Sequence, residues 1–349
     1  MSLQPTFRKR ISIPLVLTLI LINLSSGFAY VKKKPTEYQL LQTFPPGRLL
    51  QISAGDRPDK NGLNGANREN GSWLEVGPQR GGCRSVAIAV ARGDLQLADE
   101  SWRAIDVAFS HQLPEGNFEV RERPNGQSAK ALAANVETTY FFLQELGRTI
   151  LLIRDSPYEK HFHSRIEDLL PKLRIACDYI SKGYDTIIPA SGHAVNRVIL
   201  AAKAFGLCGK VLNDPKLIEQ CRKLIAFSLT RRDAEGVFIE KGGRDSSYNV
   251  VSILYGQILG LYVDLPELEA AIPKAMSWEL GMISDTGEVI VAGNTRTGVG
   301  KEQSYFGTPK NVNYNEVLMA LSYYGAIQSD KQAIEKAALV AEYIKRKSK

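Results

Sequence analysis

The chain has 349 residues, 44% of them hydrophobic and 23% charged, with 29 Gly and 16 Pro. That composition is globular and excludes disorder, collagen and a coiled-coil rod, and the length suits two domains or one large helical or β architecture. The net charge of +7 is spread along the chain rather than massed in one tail, which argues against a nucleic-acid-binding arm.

The N-terminus reads as an address. Phe7-Arg8-Lys9-Arg10 is a short basic start, Ile11 to Leu24 is an apolar run, and Ser25-Ser26-Gly27-Phe28-Ala29 supplies small residues for cleavage after Ala29. The alternative is an uncleaved anchor, but the run is short of the ~20 residues a span needs. Residues 1–29 are therefore expected to be a signal peptide. Cleavage removes Arg8, Lys9 and Arg10, lowers the charge to +4, and leaves a body without stable membrane insertion, periplasmic or secreted.

Residues 30–83 read as an irregular segment, with turns at Pro45-Pro46-Gly47 and from Asp59 to Gly65. Trp73, and later Trp102, offer either a face on which a sugar ring stacks or plain packing. From Arg84 the apolar residues recur at three- and four-residue intervals through Val86, Ala89, Val90, Ala98, Trp102, Ile105 and Phe109, which predicts a helix pair. Further helices are predicted over 127–153, 159–182, 193–206, 214–230, 246–263, 266–280, 313–327 and 330–346. Only Val237-Phe238-Ile239 and Glu288-Val289-Ile290-Val291-Ala292 look strand-like. Of the four cysteines, Cys208 and Cys221 fall on adjacent predicted helices about 10 Å apart along the axis, so no bond between them is expected and buried thiols are.

A weak repeat organises these helices. His111-Gln112-Leu113-Pro114-Glu115-Gly116-Asn117-Phe118, Arg231-Arg232-Asp233-Ala234-Glu235-Gly236-Val237-Phe238 and Ser284-Asp285-Thr286-Gly287-Glu288-Val289 each follow a helix with a polar glycine turn and a β-like pair. Antiparallel helix pairs with glycine turns recurring on one side predict an all-α fold over 84–349: an α/α toroid, an incomplete barrel with short β-hairpins in its loops.

Three glycine-rich stretches are too polar to be connectors alone. Ser191-Gly192-His193-Ala194-Val195-Asn196-Arg197 opens one helix and spaces His193, Asn196 and Arg197 at i, i+3 and i+4, near amide donors that favour an anion; the plainer alternative is that Ser191 caps the helix. Glu240-Lys241-Gly242-Gly243-Arg244-Asp245-Ser246-Ser247-Tyr248-Asn249 enters another helix, with Asp245 or Ser246 as the cap and Arg244 and Tyr248 at i, i+4 facing one cavity. The long loop from Ala292 to Gly307 carries Asn294, Arg296, Lys301, Gln303 and Tyr305. His161-Phe162-His163 lacks a carboxylate at ligand spacing, so no metal site is expected, and no nucleotide or metalloprotease motif is present. Glu115, Glu137, Asp233, Asp245 and Asp285 include no pair singled out for glycoside hydrolysis.

An inventory of His, Asn, Tyr and Arg suits β-elimination of a uronic-acid polysaccharide. Donors that neutralise the sugar carboxylate stabilise the enolate-like intermediate, while His or Tyr removes the C5 proton and Tyr protonates the leaving oxygen. The segments Ser191-Gly192-His193-Ala194-Val195-Asn196 and Gly243-Arg244-Asp245-Ser246-Ser247-Tyr248-Asn249 resemble those of α/α-toroid polysaccharide lyases of the alginate, chondroitin and heparinase-like group. The resemblance implies that Asn196 neutralises the carboxylate, that His193 is the base or a second neutraliser, that Tyr248 is the acid or base, and that Arg244 binds substrate. The chain departs from that group in placing Ala194 and Val195 between its His and Asn. Trp73, Arg197, Asn249, Asn294, Arg296 and Tyr305 are the further substrate-binding candidates. The expected function is thus an exported polysaccharide lyase without cofactor or metal, its partner an acidic polysaccharide or oligosaccharide and not a nucleic acid. A glycoside hydrolase on the same toroid, or a non-catalytic polysaccharide-binding or export-accessory protein, is the alternative.

Overall fold

The computed structural model describes Met1 and residues 34–53, 55–126, 130–304 and 306–348. Beyond Met1 the expected signal peptide lies outside the described residues, as does Tyr305. The chain divides into Met1–Lys34 and Pro35–Lys349, and the second unit carries the fold.

That unit is all-α. Three short helices, α1 (Glu37–Leu41), α2 (Arg48–Ile52) and α3 (Gly65–Asn70), occupy the segment expected to be irregular. There follow α4 (Arg80–Ala91), α5 (Leu95–Ser110), α6 (Leu132–Arg154), α7 (Glu159–Lys182), α8 (Ile187–Ser191), α9 (Val195–Leu212), α10 (Pro215–Leu229), α11 (Ser246–Tyr262), α12 (Pro266–Gly281), α13 (Tyr314–Gln328) and α14 (Lys331–Lys347). Local chemistry sets the starts. Asp94, Asp214 and Asp330 each accept N–H groups of the first turn of α5, α10 and α14, and Pro215 fills the first position of α10, where no N–H is needed.

Packing pairs α4 with α5, α6 with α7, α9 with α10, α11 with α12 and α13 with α14. One helix of each pair also touches the next pair, in the order α4, α6, α9, α11, α13. These linking helices are buried along most of their length, whereas α7, α10, α12 and α14 bury one face and leave the other in water. Burial of aliphatic side chains along the linking helices drives the association, at about 25 cal/mol per Å² of apolar surface removed from water.

Among the described residues the strand-like pairing is limited to six isolated antiparallel bridges, four of which close turns of one form: Gln112 with Phe118, Arg232 with Phe238, Ile283 with Val289 and Gln303 with Pro309. In all four turns the fourth residue is a glycine, Gly116, Gly236, Gly287 or Gly307, with φ between 74° and 98°. Each glycine donates its N–H back to the first turn residue, Leu113, Asp233, Ser284 or Ser304. A left-handed φ is one reason for glycine there; the neighbouring helix is another. A Cβ on Gly116 would stand 2.2 Å from the Ile175 carbonyl oxygen of α7, and one on Gly287 would stand 2.2 Å from that of Leu339 on α14. The turn after α5 thus seats on α7, and the turn after α12 on α14.

A charged network lies inside this apolar shell. Arg148 donates to Glu37 at 2.7 Å, to Glu145 at 3.0 Å and to the Tyr323 hydroxyl at 2.9 Å, all from fully buried side chains. Lys203 reaches Glu145 at 2.7 Å and Gln144 at 2.6 Å and lies 4.5 Å from the Tyr255 ring centre. Burial opposes ionisation of Glu145, but Lys203, Arg148 and Arg84 outweigh it and hold the carboxyl well below the usual range. Burial lowers Lys203 to about 8, against the pull of Glu145. Glu37 ties the first short helix into this centre, because the Tyr262 and Tyr323 hydroxyls also donate to it.

All four cysteines are buried free thiols. Among the described residues no helix is long and apolar enough to cross a membrane.

Candidate functional site

A cavity of about 840 Å³ opens where the N-terminal ends of α9 and α11 meet the loop between α12 and α13. Six basic side chains line it, Arg80, Arg123, Arg197, Lys241, Arg296 and Lys310, against the four carboxylates Glu69, Glu137, Glu302 and Glu316. The balance is cationic.

Asp245 builds the site. It caps α11 by accepting the N–H groups of Ser247 and Tyr248, both at 3.1 Å. Its second oxygen accepts the N–H groups of Arg296 and Thr297, both at 2.8 Å, which clamps the long loop onto the start of α11. Gly243 permits the approach, since a Cβ there would meet the Thr295 methyl at 2.6 Å. The α9 start is capped from afar. Ala194, which precedes it, has no side-chain acceptor, and Glu240 accepts the Asn196 N–H at 2.7 Å instead.

The clamp carries the Arg296 guanidinium over the Tyr248 ring, 3.7 Å from its centre. Arg296 also donates to Asn196 Oδ1 at 3.0 Å, to Glu240 at 2.7 Å and to Glu302 at 3.3 Å. Because Oδ1 of Asn196 accepts from a guanidinium, its Nδ2 is the amide donor, and that NH2 has no protein partner among the described residues. Lys310 meets Glu302 at 2.6 Å and Lys241 pairs with the same carboxylate, so three cations share one anion. Burial opposes ionisation of Glu302, but its bonds from Lys241, Lys310 and Arg296 prevail and hold it well below the usual carboxylate range. Burial pushes Glu240 up to about 7 despite Arg296.

Tyr248 is pushed up to about 12, by burial first and then by Glu302, Asp245 and Glu240, with Arg296 opposing. Its phenol is therefore a proton donor at neutral pH, and its hydroxyl has no partner among the described residues. His193 is exposed and does not line the cavity wall. Burial, then Lys241, Arg197 and Arg296, push its imidazole below the ordinary value, so it is neutral at pH 7, beside a wall built by those three cations.

The structure thus brings Asn196, Arg197, Tyr248 and Arg296 together in one cavity, with His193 beside it. Arg197 is engaged by Glu137 at 3.1 Å. Four other expectations are corrected. Arg244 does not face the cavity: it pairs with Asp233 at 2.6 Å and Glu235 at 2.7 Å and lies over the Trp278 ring, fastening α11 to the preceding glycine turn. Trp73 is buried, stacked on His111 and donating to the Glu119 carbonyl at 2.9 Å, so no sugar reaches its face. Asn294 is buried and accepts the Ser246 N–H at 3.0 Å. Asn249 is buried, accepts the Phe238 N–H at 3.2 Å and donates to Glu279 at 2.9 Å.

That last contact carries a prediction. Glu279 is fully buried, its Oε1 has no partner, and burial raises its carboxyl to about 8. The folded state therefore holds a proton that the unfolded chain releases above about pH 4.3, so stability is lost as pH rises from there towards 8. Glu279→Gln should remove that slope, gaining on wild type by up to about 1.4 kcal/mol per pH unit. Urea denaturation between pH 5 and pH 8 checks it; parallel stability curves would reject the assignment.

Lys241, Glu240, Glu302 and Lys310 were not among the sequence candidates, nor was Phe306, whose ring lines the cavity 40% exposed. A buried arginine needs carboxylates, and the acidic residues of the two neighbouring glycine loops were the available signal. Of the five carboxylates weighed for hydrolysis, only Glu137 lines the cavity. Among the described residues no group of three or more His, Cys, Asp or Glu is placed to hold a metal. No protein-family model matches the chain, and no curated protein matches it.

Proposed function

We propose that the chain is an exported α/α-toroid protein that binds an acidic, uronate-containing glycan in this cavity and cleaves it by β-elimination. One observation carries the reading: Arg296 stacked on Tyr248 and bonded to Asn196, in a cavity where basic side chains outnumber carboxylates. The pairing of each buried linking helix with a half-exposed one supports the toroid, and the recurring glycine turns support short hairpins on one side of it. The basic and apolar stretch ahead of Ala29 supports export.

In the proposed reaction the sugar carboxylate meets the free Nδ2 of Asn196 and the field of Arg296, Lys241 and Lys310, which lowers the cost of placing charge next to it. Neutral His193 accepts the C5 proton. The C5–H electron pair forms the C4=C5 double bond, the C4–O bond breaks, and Tyr248 donates its proton to the departing oxygen. Screening residues 30–349 against uronate-containing and neutral polysaccharides tests this. An unsaturated product absorbing in the ultraviolet is expected from the acidic polymers. Reducing ends without that absorbance would mean hydrolysis, and binding without either product a non-catalytic role.

A further inference from the structure

A second, smaller compartment of about 270 Å³ adjoins the main cavity, and the two share Ala66, Arg80, Phe141, Asn313 and Glu316 as walls. Its volume falls just under the range of about 300–1,000 Å³ that houses drug-sized ligands, which suits a single sugar ring. Four glycines, Gly55, Gly65, Gly77 and Gly81, line it.

The polar lining is unfinished. Asn64 is 1% exposed and its Oδ1 has no partner; Arg84 is 6% exposed and its Nε has none. The other groups of Arg84 reach Asp56 at 3.4 Å and the Tyr255 hydroxyl at 3.3 Å, and Tyr255 donates to Glu316 at 2.7 Å. An unpaired buried donor is costly, and a ligand oxygen that accepts from Arg84 Nε removes that cost. A hydroxyl group is both donor and acceptor, and a carboxylate beside a guanidinium grips a vicinal pair of them. Charge is balanced: Arg80 and Arg84 line the compartment with Asp56, Glu75 and Glu316, and Glu75 is paired to Arg123 at 2.6 Å. A second uronate would meet no excess of cations there, unlike in the main cavity, where six basic side chains face four carboxylates.

We propose that this compartment is a subsite for one uncharged, hydroxyl-rich sugar ring held by Asp56, Asn64 and Arg84, so that the ligand joins a neutral sugar to the acidic one. The assignment of the acidic neighbour rests on the function proposed above; the neutral subsite stands on its own lining.

The test titrates three trisaccharides into the Tyr248→Phe protein by calorimetry: one alternating uronate and neutral hexose, one all-uronate, and one all-neutral. The mixed trisaccharide should bind at least about tenfold more tightly than the all-uronate one. Gly81→Ala, at a residue that lines only the smaller compartment and whose methyl comes within 3.3 Å of Asp56 Oδ1 and 3.2 Å of Asn64 Nδ2, should abolish that preference while leaving all-uronate binding unchanged. Asp56→Asn, which also lines only the smaller compartment, serves as a second variant if Gly81→Ala does not fold. Equal affinities for mixed and all-uronate ligands, or equal losses in the filled variant, overturn the subsite. Binding of the all-neutral ligand alone, abolished by the filling, would sustain the subsite and sink the acidic-glycan reading. No binding of any trisaccharide sinks both.

Discussion

Tyr248→Phe is expected to lower turnover of an acidic polysaccharide by about 10²- to 10⁴-fold, the range that positioned proton transfer supplies. The substitution removes one oxygen that makes no hydrogen bond to a described protein group, and the phenyl ring still offers its face to Arg296, so folding and substrate affinity should stay near wild type. The loss should therefore fall on kcat and not on KM. The pH profile carries the same information. His193 must be neutral to accept a proton, and its imidazole titrates below the ordinary value, so wild-type activity should rise on the acid side of the ordinary imidazole range and stay level through neutrality. Tyr248, titrating near 12, adds no alkaline limb in the working range. A Tyr248→Phe rate within threefold of wild type would remove the phenol from the mechanism.

The second large effect is on stability. Arg148→Met should cost about 3–5 kcal/mol, because it leaves the fully buried carboxylate of Glu37 without a cation and leaves Glu145 to Lys203 alone. The energy measured would be that of the uncompensated charge, not the net worth of the pair. Combining Arg148→Met with Glu37→Gln should recover part of it, since one stranded charge is then gone. Acid should act on the wild type in a defined direction. Glu145 has a depressed folded pKa, so its contribution is present above about pH 4.3 and is lost as pH falls through the folded value. Chemical denaturation at neutral pH gives the first number; a loss under about 1 kcal/mol would mean that water reaches this network and screens it.

Helix positions were largely legible because apolar periodicity and capping are local. The helix expected over 159–182 is found over Glu159–Lys182, and Asp245 caps α11 from the place its side-chain chemistry assigns. The site was legible only in part, and Arg244 shows why. The i, i+4 rule places two side chains on one face only if both residues are helical, but Arg244 precedes the cap Asp245 and turns instead to Asp233 and Glu235. His193 likewise precedes the α9 start, so its spacing to Asn196 and Arg197 fixed no common face. Asn249 and Asn294 look like ligand groups in sequence, yet burial makes them partners of backbone N–H groups. The central contacts were out of reach for a different reason. Arg296 meets Glu240 and Asn196 from 56 and 100 residues away, and only the folded chain brings such pairs together.

The central claim is that this cavity recognises the charge of a sugar acid. The most direct measurement is calorimetric titration of the Tyr248→Phe protein with a uronate oligosaccharide and with its carboxyl-reduced counterpart, at low and high salt. The account predicts binding of the charged ligand that weakens as salt rises, and binding of the reduced ligand weaker by at least about tenfold. Equal affinity for both ligands, unchanged by salt, would contradict it.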